Sequence, residues 1–259
     1  MKEDDSESSF SRTNSVVSRE GTLKIQVEED YKIERNLKGQ KNYDMSIKLI
    51  VLGDSNVGKS SVIHRICLEK FDKSIIPTIG DELFNYFIKV NEKIIRIQIW
   101  DTAGQEQFRS IIKKHYQDAD VCLFVYSVDD IISFNNIQNW YKEAQDNNQK
   151  TEKNEMKSIL LGNKKDVEEA ERKVPEEQGE EFAKNNNFYF FREISCKSES
   201  EEERENIYEI MDIFGRYYHD NPKENENSKR NESFNFAANK ELRNANEKGK
   251  KPKEQKKCC

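Results

Sequence analysis

Apolar side chains fall in short runs separated by longer stretches of helical spacing across the middle of the chain. The runs Ile47 to Leu52, Leu83 to Val90, Ile94 to Trp100, Val121 to Val128, Ser158 to Leu161 and Phe188 to Ile194 predict strands. Amphipathic stretches near 59 to 69, 106 to 117, 133 to 149, 175 to 186 and 201 to 218 predict helices between and after them. In the last of these Ile207, Ile210, Met211, Phe214 and Tyr217 or Tyr218 fall on one face. Strands alternating with helices predict an α/β fold, a six-stranded and mostly parallel sheet with helices on both faces.

The pattern stops at both ends. Residues 1–45 are rich in acids and serine (Ser6, Ser8, Ser9, Ser11, Ser15, Ser18) and have no sustained apolar period, which predicts a mostly disordered extension. Leu23, Ile25 and Val27 alternate with polar residues, but three such positions do not outweigh coil. Residues 220–259 are largely Asn, Lys and Glu and predict a flexible tail, leaving 46–219 as the folded domain. Composition agrees, because 34% hydrophobic against 36% charged residues is too little apolar matter for one core of 259 residues.

Charge is unevenly spread. The net −6 divides into −2 for residues 1–45, −8 for the body and +4 for the tail. An acidic body argues against a nucleic-acid partner bound by phosphate neutralisation. The longest apolar run, Val121 to Tyr126, is far short of the ~20 residues of a membrane helix. Met1-Lys2-Glu3-Asp4-Asp5 has neither the apolar stretch of a secretory signal nor a myristoylated Gly, so a cytosolic start is expected. Cys67, Cys122 and Cys196 show no metal-ligand spacing and are expected as small buried residues, whereas Cys258 and Cys259 are adjacent and follow lysines.

Four motifs carry chemistry. Gly53-Asp54-Ser55-Asn56-Val57-Gly58-Lys59-Ser60 lies between a predicted strand and a predicted helix, the context in which a glycine-rich P-loop binds polyphosphate. Its amides and the helix N-terminus face the phosphates, with Ser61 beside them; Lys59 reaches the β- and γ-phosphates and the Ser60 hydroxyl ligates Mg²⁺. Asp101 ends another strand and is expected to hold a Mg²⁺ water; in the following Thr102-Ala103-Gly104-Gln105, Gly104 lets an amide approach the γ-phosphate and Gln105 orients a water. Asn163-Lys164-Lys165-Asp166 follows a third strand. The Asp166 carboxylate accepts from guanine N1 and the 2-amino group, donors that adenine lacks, while Asn163 ties loops together and the Lys164 stem covers the ring. Ser195-Cys196-Lys197 follows the sixth strand and supplies an amide to guanine O6. Singly, each short motif also reads as an ordinary polar turn or cap; their order is what gives them weight.

These motifs, at these separations, resemble the Ras superfamily of small GTPases and in detail the Rab family, over residues 46–219 and the terminal Cys-Cys. The resemblance implies a P-loop NTPase fold that binds GTP and GDP with Mg²⁺ and moves two switch segments between states. It implies that Thr78 completes Mg²⁺ coordination, that Phe71 packs against guanine and that Gln105 is the catalytic glutamine. Arg96-Ile97-Gln98-Ile99-Trp100, Gln107-Phe108-Arg109-Ser110-Ile111 and Val125-Tyr126-Ser127 are similar to Rab stretches. Asp81-Glu82-Leu83 departs from the family pattern, as does His115, where an aromatic is usual. Leu83, Trp100 and His115 occupy the positions of the aromatic triad that Rab effectors read.

Partners follow from the resemblance: an exchange factor, a GTPase-activating protein, a GDP-dissociation inhibitor and effectors, acting on a monomer. Because no arginine is assigned in cis, intrinsic hydrolysis is expected on the order of 10⁻⁴ to 10⁻² s⁻¹. Lys248, Lys250, Lys251, Lys253, Lys256 and Lys257, opposed only by Glu254, precede Cys258 and Cys259. That ending is similar to the Rab double-prenylation signal, in which two lipid chains give stable anchoring at the cytoplasmic face of intracellular membranes. The expected function is a GTP-hydrolysing switch of vesicle traffic. The rival expectation is a GTP-bound scaffold with little hydrolysis, built on the 81–83 segment and the long N-terminus.

Overall fold

A computed structural model describes residues 31–72, 78, 81–102, 115–148 and 155–222. The chain divides after Tyr31, and the unit described is the one that begins at Lys32. Its strands are β1 (Ile33–Glu34), β2 (Met45–Leu52), β3 (Asp81–Val90), β4 (Lys93–Thr102), β5 (Val121–Ser127), β6 (Lys157–Asn163) and β7 (Phe190–Glu193). The described helices are α1 (Lys59–Leu68), α2 (Ile131–Asn147), α3 (Glu176–Asn185) and α4 (Glu201–Asp220).

The sheet runs β1-β3-β4-β2-β5-β6-β7. The β2/β4, β2/β5, β5/β6 and β6/β7 pairs are parallel, while β3 pairs antiparallel with β4 and with β1. The carboxyl ends of β2, β4, β5 and β6 therefore share one edge. Strand order switches at β2, with β4 and β3 on one side and β5 on the other, and ligands of open α/β sheets bind outside such a point. Every residue of β5 is buried, as a central strand covered on both faces requires.

One face of the sheet packs Phe124 and Tyr126 against Phe134 and Trp140 of α2. On α4 the apolar stripe is buried through Tyr218, with Tyr217 partly exposed, which resolves the alternative left by the pattern. The α2 helix starts at Ile131, two residues before the expected 133, because the Asp130 carboxylate accepts from the amides of Ile132 and Ser133. Ser200 caps α4 in the same way, and Glu201, Glu202 and Glu203 complement its positive end. Most of the helix expected over 106–117 lies outside the described residues, as do Leu23, Ile25 and Val27.

The expected α/β fold with its mostly parallel sheet is present and carries a seventh strand, β1, because residues 32–45, before the expected domain start at 46, belong to the folded unit. Ile33 pairs with Val90 and Glu34 with Lys89, and the Leu37 amide donates to the Phe87 carbonyl at 3.1 Å. Arg35 then reaches α4, with Nη2 at 2.6 Å from Asp212 Oδ2 and Nη1 at 2.8 Å from Glu205 Oε2. Charge pairing and one bit of strand ladder hold this segment, so apolar periodicity does not reveal it. Of the three internal cysteines, Cys122 and Cys196 are buried and Cys67 only partly so.

Candidate functional site: a phosphate, metal and base cleft

The Gly53–Ser60 loop leaves the end of β2 and turns into α1. A Cβ on Gly53, whose φ is +142°, would lie 2.1 Å from the Val125 carbonyl oxygen. On Gly58, at φ +95°, it would lie 2.2 Å from Asn163 Nδ2. Only glycine permits this approach of the loop to β5 and β6. Gly58 offers no side chain to cap α1, so the first amides of that helix are left to an anion. Asp54 turns its carboxylate to α2, accepting from Trp140 Nε1 at 2.8 Å and Asn136 Nδ2 at 2.7 Å. Its side chain thus anchors the loop, and its carbonyl faces Lys59.

Lys59 is buried and donates from Nζ to the carbonyls of Gly53 at 2.9 Å and Asp54 at 2.7 Å. Burial pulls its ammonium down to about 8, against the raising influence of Asp101 and Asp54. An ammonium stripped of water in this way gains strongly from an incoming polyanion.

Three oxygen-bearing side chains meet beside it. Ser60 Oγ is 2.6 Å from Asp101 Oδ2 and 2.9 Å from Thr78 Oγ1, which is itself 3.4 Å from Asp101 Oδ2. Asp101 Oδ1 is buried and has no hydrogen-bond partner among the described residues. Burial raises the Asp101 carboxyl, with Ser60, Lys59 and Thr78 offsetting part of the rise. The Thr102 hydroxyl donates to the Val51 carbonyl and fixes the end of β4 against β2. Two hydroxyl oxygens 2.9 Å apart, close to the edge of a magnesium octahedron, beside a carboxylate whose other oxygen is a buried orphan, fit Mg²⁺. No cluster of His, Cys, Asp and Glu suited to a transition metal occurs among the described residues.

The far end of the cleft is built by two loops. Asn163 donates from Nδ2 to the Val57 carbonyl at 2.9 Å, joining the end of β6 to the phosphate loop, and the Cys196 amide makes a long 3.4 Å contact to its Oδ1. Asp166 accepts from Ser195 Oγ at 2.5 Å and lies 3.1 Å from Lys197 Nζ. Burial pushes its carboxyl up, but the bonds from Ser195 and Lys197 outweigh that and hold it below the usual carboxylate range. Lys164, at φ +65°, sets its ammonium 3.6 Å from Asp129.

The structure brings Lys59, Ser60, Thr78, Asn163 and Asp166 to one cleft of about 430 Å³, with Asp101 bonded to Ser60 behind its wall. Ser55, Asn56, Ser61, Phe71 and Thr78 line it along with the lysines, Asp166 and Cys196. Gly53, Asp54, Val57 and Ser195 support it from behind. Gly104, Gln105, Cys258 and Cys259 lie outside the described residues. Leu83 sits opposite Trp100 in the β3/β4 register with 38% exposure, and the Trp100 and His115 rings are 4.6 Å apart, so the three form one surface. Sequence pattern gave no sign of Arg65, Asn136, Trp140 or Glu203, which hold the loops through contacts to backbone or to a carboxylate.

Comparison with known proteins agrees with this geometry. Residues 48–214 match the model of the Ras family. The Ras-related protein Rab-9A of Rattus norvegicus is 42% identical over 150 residues, 58% of this chain and 74% of that protein. RABE1e of Arabidopsis thaliana is 40% identical over 161 residues, 62% of this chain and 72% of that protein. Rab-9B of Mus musculus is 40% identical over 154 residues, covering 60% and 76% respectively. With the glycine-rich loop, the oxygen cluster and the Asn163–Asp166 loop all inside the matched span, the chain belongs to the Rab family of Ras-type small GTPases.

Proposed function

We propose that the cleft between the Gly53–Ser60 loop and the Ser195–Lys197 loop holds GTP, that Ser60, Thr78 and Asp101 hold its Mg²⁺, and that Asp166 selects guanine. As a member of its family the chain is a GTP-binding and GTP-hydrolysing switch of vesicle traffic. The observation that carries the assignment is the meeting of the Ser60, Thr78 and Asp101 oxygens next to the buried Lys59 ammonium.

The residues divide the work by chemistry. Lys59 and the loop amides neutralise charge on the β- and γ-phosphates, where phosphoryl transfer concentrates it. Bound Mg²⁺ would add a Lewis acid at the same oxygens. Ser60 and Thr78 would hold it by their hydroxyls, and Asp101 through a water. Gln105 orients the attacking water, and Gly104 offers an amide to the γ-phosphate. Thr78 belongs to the segment that the γ-phosphate orders, so hydrolysis releases it and changes which partner binds. Phe71 packs on the base, and Leu83, Trp100 and His115 present the effector surface.

Rab relatives are associated with intracellular membranes. Prenylation of Cys258 and Cys259, with the lysines before them, would place this chain on the cytoplasmic face. Exchange factor, activating protein, dissociation inhibitor and effectors are the partners such a cycle needs. The scaffold reading is not favoured, since the family match spans both the phosphate loop and the Asp101 strand end. Single-turnover hydrolysis of GTP by the wild type and by Gln105→Leu separates the two. A switch loses at least roughly tenfold in rate on substitution. A scaffold hydrolyses equally slowly in both forms.

A further inference from the structure

One buried cation has no part in the scheme above. Arg65 lies on α1, nearly two turns after Lys59, and its side chain is almost entirely buried. Its Nε donates to the Cys196 carbonyl at 2.6 Å and Nη2 to the Ser198 carbonyl at 3.1 Å. Nη2 also lies 2.6 Å from Glu199 Oε1, a carboxylate that is 66% exposed. The guanidinium carbon stands 5.8 Å from the centre of the Phe71 ring.

We propose that Arg65 is a positioning residue for base recognition, a clamp that fixes the Cys196–Lys197 peptide against the base and supports Phe71 across it. The proposal rests on the reading of the cleft as a guanine site. Peptide planarity makes the argument: the Cys196 carbonyl shares a rigid plane with the Lys197 amide, so holding one orients the other. Fixing that backbone also sets where Lys197 meets Asp166 at 3.1 Å. The guanidinium fork serves two carbonyls and a carboxylate at once and presents a flat face to an aromatic ring. A lysine at the same place offers a point charge and cannot span both carbonyls.

A merely structural arginine would lower stability without altering which base is bound. The test uses full-length protein carrying Arg65→Lys or Glu199→Ala. It measures GDP release in excess chelator and the affinities for GDP, 6-thio-GDP and ADP. Sulfur accepts N–H bonds weakly, so 6-thio-GDP reports on the loop amides alone, whereas ADP also lacks the two donors assigned to Asp166. The clamp predicts that Arg65→Lys releases GDP roughly tenfold faster, the worth of one well-placed hydrogen bond, and narrows the preference for GDP over 6-thio-GDP while still rejecting ADP. Glu199→Ala, which leaves both carbonyl contacts in place, keeps the wild-type preference. An unchanged preference in Arg65→Lys, whatever its melting temperature, overturns the proposal, as does an equal loss in Glu199→Ala. Wild-type indifference between GDP and ADP would instead remove the guanine-site reading on which the clamp depends.

Discussion

If Asp166 selects guanine as proposed, its carboxylate has to be ionised and held in place, and its neighbours meet both conditions. Ser195 and Lys197 keep it charged. The Asp166→Asn substitution replaces one acceptor oxygen with a donor facing the guanine donors, and competition binding should show at least a hundredfold loss for GDP, about the cost of an unpaired buried polar group or more. The pH dependence has a definite sign. A carboxyl held below its usual value stays ionised until pH falls through that lowered value, so GDP preference should be flat above about pH 4 and decline only below it. Lys59, Ser60, Asp101, Asn163 and Asp166 were legible as candidates because each lies in a short motif of fixed spacing. Arg65 was not, since a helical arginine becomes informative only when the fold brings the Cys196 carbonyl 2.6 Å from it. Asp54 was legible as part of the loop but not as the anchor to Trp140, because its partner is 86 residues away.

Elements follow the same division. The β2, β5 and β6 strands are buried on both faces and declare themselves as apolar runs. By contrast β1 has two residues, and its place on the sheet edge depends on Arg35 meeting Asp212 and Glu205 across 170 residues or more of chain. Asp212 is 7% exposed and Arg35 30%, so removing the cation strands a nearly buried charge. Arg35→Ala should cost about 2–3 kcal/mol in urea unfolding, and Arg35→Met with Asp212→Leu should recover part of that. The same segment also holds the end of α1, where Asn36 donates to Glu69 at 2.9 Å two residues before Phe71. A segment too short for a periodic signal thus steadies the chain just before Phe71.

At the scale of the whole molecule, charge and chemistry are segregated along the chain. An acidic body is repelled by an anionic leaflet, and the lysines before Cys258 and Cys259 supply the opposite sign. Two prenyl chains give anchoring that one does not, so replacing both cysteines by serine should move the protein from the membrane to the soluble fraction on cell fractionation. An unchanged distribution would exclude the lipid anchor. None of the described helices is long and apolar enough to cross a membrane. What every later step requires is a nucleotide gripped at both ends of one cleft. The most direct measurement is competition of GTP, GDP and ATP for the nucleotide-free protein, with and without magnesium. The account predicts guanine nucleotides preferred by at least roughly a thousandfold, with magnesium slowing their release. Equal binding of the two purines, or release indifferent to magnesium, would contradict it.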